Sequence, residues 1–293
     1  MFPEEIRQSL EIWLTKEVSP STFIKSLHVI GGGSINEAYR IETNSGTFFI
    51  KYNLAKRFPG MFMAEKKGLN ILREANCIQV PAVLDFAETS KYAYLLLEYV
   101  SSGEPVKDFW QLFGQQLVAL HSKTSPVFGL DHDNYIGSLA QRNRTHHTWS
   151  EFLITERLEP QTKMAFEAGQ FDIATIRQVE KLYTKLEGLL PVEPPSLLHG
   201  DLWSGNFMTG NDGNPCIFDP AVYFGHREAD IAMTRLFGGF PDAFYESYNH
   251  YRPLETGWKE RIPLNQLYPL LVHVNLFGGG YVSQVRQIVA KFI

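Results

Sequence analysis

Cysteine is nearly absent from this 293-residue chain. Only Cys77 and Cys216 occur, far apart and in no Cys-x-x-Cys spacing, which excludes a disulfide framework and a cysteine-built zinc site. Cys216 lies in an apolar run and reads as a small core residue. Long hydrophobic runs are missing as well. The nearest to a membrane span, residues 267–282, is interrupted by Pro269, His273, Asn275 and three glycines. The opening Met1-Phe2-Pro3-Glu4-Glu5-Ile6 is acidic and lacks a signal peptide's basic start and apolar middle. Basic excess is the third absence. A formal net charge of −5 leaves no electrostatic footprint for nucleic acid. The expectation is a cytoplasmic protein with neither a membrane nor a nucleic-acid partner, a monomer being the favoured state.

What is present suits a soluble globular protein of one large or two smaller domains, since 44% of the residues are hydrophobic and 20% charged. Ile6, Leu10, Trp13 and Leu14 give helical spacing over residues 3–18, ended by Pro20. Runs at 23–30, 38–43 and 47–53 then read as an antiparallel meander, with Gly31-Gly32-Gly33-Ser34 between the first two strands. A helix over 62–75 and strands at 81–88 and 92–100 follow. The composition shifts at Ser101-Ser102-Gly103, which places a boundary between residues 1–100 and residues 101–293. Beyond it the chain reads mainly as helix: 106–123, 149–169, 173–190, 228–237, 242–251 and two segments within 257–293. Residues 126–147 read as loop, and the adjacent His146-His147 as solvated rather than metal-binding. The fold class expected is therefore α+β.

The chemistry concentrates in Leu198-His199-Gly200-Asp201-Leu202-Trp203-Ser204-Gly205-Asn206, followed by Ile217-Phe218-Asp219-Pro220. Asn206 stands five positions after Asp201, and Asp219 thirteen after that. This is the spacing H-x-D-x-x-x-x-N of a kinase catalytic loop and its later metal-binding Asp. Phosphoryl transfer needs a carboxylate to orient the attacking hydroxyl and take its proton, a role that fits Asp201. It also needs hard oxygen ligands for Mg²⁺, which fit Asn206 and Asp219. An Asx-rich turn between strands would use the same residue types.

The first segment supplies two further signals. The glycine loop can offer backbone N–H groups to phosphates, or simply be a wide turn. Lys51 sits on an apolar strand, where it either snorkels to solvent or holds nucleotide phosphates. Phe62, Glu65, Leu69 and Leu72 recur at steps of three and four, so Glu65 lies on an apolar stripe and needs a partner there. Lys51 and Glu65 have the strand-to-helix arrangement of the kinase Lys–Glu pair. Retention of Lys51, Asp201, Asn206 and Asp219 together argues against a nucleotide-binding scaffold without catalysis. Asp230 reads as structural, bonding backbone N–H groups around the catalytic loop.

With these motifs and the runs Gly225-His226-Arg227-Glu228-Ala229-Asp230, Phe237-Gly238-Gly239-Phe240 and Phe277-Gly278-Gly279-Gly280-Tyr281, the chain resembles the fructosamine/ketosamine 3-kinase family. That family is a branch of the aminoglycoside-phosphotransferase-like kinases. The resemblance covers nearly the whole chain. It implies a bilobal protein-kinase-like fold and transfer of the ATP γ-phosphate to the 3-hydroxyl of a fructosamine or ribulosamine. It also implies Asp201 as base, Asn206 and Asp219 as Mg²⁺ ligands, and Lys51 with Glu65 as the phosphate-holding pair. Gly32, Gly33 and Ser34 would cover the nucleotide, and Glu98, Tyr99 and Val100 would form the adenine hinge. Trp203, Tyr223, His226, Glu228 and Trp258, an aromatic and acidic mix, are the candidate acceptor-lining residues. Another small hydroxylated acceptor, such as an aminoglycoside or amino alcohol, stays open. Ser34 stands where many relatives carry a cysteine associated with redox-linked dimers. The chain also lacks an Ala-Pro-Glu segment, so folded protein substrates docked through an activation loop are not expected.

Overall fold

A computed structural model describes residues 2–31 and 35–293. The expected phosphate-facing residues Gly32, Gly33 and Ser34 lie outside the described residues. Helix α1 (Glu4–Trp13) passes at Leu14 into a π-helical turn that ends at Val18. Strands β1 (Ile24–Ile30), β2 (Glu37–Thr43) and β3 (Thr47–Leu54) follow, then helix α2 (Met61–Ala75) and strands β4 (Val83–Glu88) and β5 (Tyr92–Glu98). These strands form one antiparallel sheet in the order β1-β2-β3-β5-β4. Strand alternation sends Ile50 to one face, where it meets Ile6, Leu10 and Leu14 of the first helix. Phe49 goes to the other, against the cluster containing Phe62 and Leu69 of α2. Lys51 shares that second face.

The rest is largely helical: α3 (Phe109–His121), a hairpin of β6 (Asn134–Ile136) and β7 (Leu139–Gln141), then α4 (Trp149–Phe152). A π-helical segment, Leu153–Leu158, leads into α5 (Glu159–Glu167), followed by α6 (Ile173–Tyr183) and the single turn α7 (Leu186–Leu189). Two small antiparallel pairs frame the catalytic stretch: β8 (Ser196–Leu198) with β11 (Tyr223–Gly225), and β9 (Phe207–Thr209) with β10 (Pro215–Ile217). The chain closes with α8 (Glu228–Thr234), α9 (Asp242–Tyr251), α10 (Trp258–Asn265), α11 (Leu267–Phe277) and α12 (Gly280–Phe292). No helix among the described residues is long and apolar enough to cross a membrane.

Three expectations are corrected. The helix expected over 228–237 ends at Thr234, because Phe237, Gly238 and Gly239 all take positive φ, at 57°, 106° and 74°. The stretch read as loop, 126–147, holds the β6–β7 hairpin, whose strands of three residues are too short to show alternation. Residues 257–293 form three helices rather than two, α11 being broken from α12 by Gly278 and Gly279 at positive φ.

The hydrophobic cores do not respect the boundary drawn at residue 100. One cluster joins Phe62, Leu69, Leu95 and Leu97 to Phe113, Leu117, Leu202 and Phe244. A second lies wholly in the helical part, around Phe152, Leu182, Tyr268 and Leu271. The catalytic stretch runs between them.

Candidate active site

The loop after β8 is fastened from behind by one buried carboxylate. Asp230 Oδ2 accepts the His199 N–H at 2.8 Å and Oδ1 accepts the Gly200 N–H at 2.9 Å. His121 Nε2 donates to Oδ2 at 3.2 Å, while His121 Nδ1 meets the Tyr248 hydroxyl at 2.8 Å. Burial alone would raise the Asp230 pKa. The donors of His121 and Gly200 outweigh it and hold the carboxyl below its ordinary value. His199 is locked as well: its Nε2 donates to the Phe218 carbonyl at 3.0 Å and its Nδ1 accepts the Asp201 N–H at 3.3 Å. Both ring nitrogens are thereby assigned and burial depresses the pKa, so the imidazole is neutral. Gly200 is required in this frame, having φ 82° with a Cβ position only 2.1 Å from the Ala221 carbonyl oxygen.

Asn206 Nδ2 donates to the Asp201 main-chain oxygen at 2.8 Å and to its Oδ2 at 2.9 Å. This fixes the amide so that its Oδ1 is turned away from Asp201 and free to ligate. Burial raises the Asp201 pKa well above the ordinary range, against the Asn206 hydrogen bond and with help from the charges of Asp219 and Asp230. Asp219 takes φ 54°, a left-handed conformation that Asp tolerates, and its side chain stays 52% exposed. Lys51, only 5% exposed, reaches across from β3 to both Asp219 and Glu65 of α2. Burial works against the Lys51 charge, and the two carboxylates outweigh it, so its pKa is raised. Glu65 is pushed up to about 7 by burial, which Lys51 offsets only in part.

The sequence-predicted residues Lys51, Glu65, Asp201, Asn206 and Asp219 are thus brought together. Glu98 closes β5, its N–H donating to the Ala82 carbonyl at 2.9 Å, and Val100 is buried beyond it. Three acceptor candidates are placed elsewhere. Glu228 is buried and neutralised by Arg261, whose Nε and Nη2 lie 2.9 and 2.5 Å from its two oxygens. His226 is fully buried, accepting the Glu228 N–H at 3.2 Å. Tyr223 lies beneath the loop, its ring 4.1 Å from the buried Arg157 guanidinium. The reason is helical geometry: Asp230 points at the loop, so Glu228, two residues earlier, points at α10. Trp258 packs at the start of α10 against Tyr245, 6.5 Å away.

Trp203 does stay at the catalytic loop, packed against Gly205, where a Cβ would come within 2.4 Å of its ring. It meets residues the sequence reading missed. Phe237 stands 5.7 Å from Trp203, and His273 4.8 Å from Phe237. Phe277 and Tyr281 follow at 5.4 and 5.0 Å from His273. The signal was present in the sequence: Phe237-Gly238-Gly239 and Phe277-Gly278-Gly279 are two aromatic–glycine turns, and both are used at positive φ. His273 Nδ1 donates to the Pro269 carbonyl at 2.7 Å, leaving Nε2 as an acceptor.

A five-stranded sheet and helix α2 that share a Lys–Glu pair, set against a helical lobe carrying an Asp–Asn–Asp constellation, define the architecture of an aminoglycoside-phosphotransferase-like kinase. The aminoglycoside phosphotransferase APH(4)-Ia, solved with AMP-PNP and hygromycin B, shares that fold at TM-score 0.65 and 16% identity, over 96% of this chain and 98% of its own. Within that class the match is specific: the fructosamine kinase family model covers residues 6–293, and the chain belongs to that family. It is 43% identical over 267 residues to a probable ketoamine kinase of Enterococcus faecium, spanning 89% of this chain and 93% of the relative. The chloroplastic protein-ribulosamine 3-kinase of Arabidopsis thaliana is 36% identical, over 96% of this chain and 86% of its own. A Thermobifida fusca structure described as a fructosamine-3-kinase superposes at TM-score 0.85 with 35% identity, covering 96% of this chain and 97% of that one.

Proposed function

We propose that this chain is an ATP- and Mg²⁺-dependent kinase that phosphorylates the 3-hydroxyl of a ketosamine, a fructosamine or ribulosamine, in the cytoplasm. The observation that carries the reading is the convergence of Lys51, Glu65 and Asp219 beside the Asp201–Asn206 pair. Asp201 orients the acceptor hydroxyl and takes its proton as the oxygen attacks the γ-phosphorus and the bond to the β-phosphate oxygen breaks. Its raised pKa suits a group that must accept a proton in transit. Lys51 positions the phosphates, and Glu65 keeps Lys51 charged and aimed. The half-exposed Asp219 carboxylate and the free Asn206 Oδ1 are the hard oxygen donors that Mg²⁺ takes alongside phosphate and water. An ion held by these two residues would supply positive charge against the charge that develops on the phosphates. Residues 98–100 meet the adenine edge. The lobes divide after residue 100, with a shared apolar cluster as the floor of the cleft.

The acceptor's amine finds ring faces rather than a carboxylate, because Glu228 is already paired. Phosphorylation at this hydroxyl destabilises the sugar–amine adduct, which suits a role in deglycation. The test is kcat/KM across a ribulosamine, a fructosamine, their free sugars and an aminoglycoside. A ketosamine preference over its free sugar of at least about tenfold, or about 1.4 kcal/mol, is expected. Equal turnover of both, or faster turnover of the aminoglycoside, refutes the reading.

A further inference from the structure

Phe237 holds a conformation that phenylalanine avoids. Its φ of 57° is a left-handed value that suits glycine or asparagine, not an aromatic residue. The two residues after it are glycines at 106° and 74°, and a Cβ on Gly238 would meet nothing within 4 Å. That glycine therefore serves the backbone turn rather than a close approach. The strain is not offset by burial, since the residue is 36% exposed and lies in none of the three apolar clusters. What the turn achieves is aim. The ring stands edge-on to Trp203, with centroids 5.7 Å apart and planes at 74°, and leans on His273 at 4.8 Å. The Ser204 hydroxyl, 3.5 Å from the Phe237 carbonyl, faces this turn from the catalytic loop.

We infer that Phe237 is a specificity-determining residue, one wall of an acceptor clamp whose other walls are Trp203 and His273. This rests on the ketosamine kinase reading and deepens it. Two rings at a steep angle make an apolar corner. The C–H face of the sugar lies on one ring and the protonated secondary amine over the other. His273 Nε2, left as an acceptor by the Nδ1 bond to Pro269, takes a sugar hydroxyl. Contact with the acceptor in that corner offsets the backbone strain of the turn.

The experiment is steady-state kinetics and thermal unfolding of Phe237→Gly and Phe237→Leu. Both variants should raise the ketosamine KM about tenfold and leave the ATP KM within about twofold, as loss of one cation-facing ring predicts. The preference for ketosamine over free sugar should shrink with it. Phe237→Gly should keep or raise Tm, because glycine relieves the turn. An unchanged ketosamine KM in either folded variant overturns the clamp. So does a fall in Tm accompanied by equal losses in every kinetic constant, which would mark a packing residue. Should the wild-type protein ignore ketosamines and turn over another amine-bearing alcohol, the substrate reading fails by itself. The same KM comparison on that alcohol then decides the clamp.

Discussion

Replacing Asp230 with alanine tests whether one buried carboxylate sets the geometry of the catalytic loop. Asp230 is 1% exposed and receives three donors: the His199 and Gly200 N–H groups and His121 Nε2. Alanine leaves all three buried without an acceptor, at about 1–3 kcal/mol each. A cavity of about 20 Å³ already borders Gly200 and Asp230, so a water molecule can enter and satisfy part of the deficit. The net loss should therefore be about 3–6 kcal/mol, a large share of a typical domain's stability. In thermal unfolding this corresponds to a Tm lower by roughly 6–20 °C. Asp230→Asn keeps one accepting oxygen and should fall between the two. Because Asp230 holds the two residues before Asp201, kcat should drop about 100-fold as the base drifts by an ångström or so. The ATP KM should stay near wild type, since Lys51 and Glu65 lie on other elements. The folded pKa of Asp230 is depressed, so its stabilisation is present above the unfolded value of 3.8 and is lost as pH falls through the folded one. The gap between wild type and variant should accordingly persist down to that region. An alanine variant with Tm within about 2 °C of wild type and kcat within threefold would refute the reasoning.

Three further outcomes are expected. Lys51→Met should lower phosphate transfer at least about 100-fold while circular dichroism shows an intact fold, because phosphate positioning is lost rather than core volume; normal turnover by the folded variant would dismiss the role. Asp219→Ala should be nearly inactive at ordinary Mg²⁺, and full activity of that variant in EDTA would contradict a metal ligand. Asp201→Asn should lose about 10²–10⁴-fold in kcat yet gain stability at neutral pH. Asp201 has a folded pKa raised above the unfolded 3.8, so its charged form disfavours the fold, and the cost grows as pH rises from 3.8 to the folded value, above which it is complete. The Tm advantage of the asparagine variant should therefore vanish near pH 4, and a pH-independent difference would exclude a desolvated carboxylate.

The sequence by itself determined the parts whose chemistry is local or fixed by spacing. His199 to Asn206 and Asp219 stand at intervals set by one loop and one hairpin, so their residue types were legible without coordinates. Glu65 could be read because a helical stripe that is otherwise apolar cannot carry an unpaired carboxylate, and Lys51 on a neighbouring strand was the available partner. Asp230 was legible as a structural carboxylate that bonds backbone N–H groups of the loop. The acceptor side was not. Glu228 looked available because sequence shows the charge but not Arg261, thirty-three residues on, which neutralises it. His226 and Tyr223 read as candidate lining residues because nothing local reveals that β11 runs beneath the catalytic loop. The end of α8 was misplaced because apolar periodicity continues through Leu236 and Phe237, while the backbone turns left-handed under restraint from the loop and α11. Phe237, His273 and Tyr281 come from three elements separated in the chain, and only tertiary packing links them in a row that starts at Trp203. Spacing encodes what one short segment does alone. Which side chains share a pocket depends on how separate segments exclude water together, and that is decided in three dimensions.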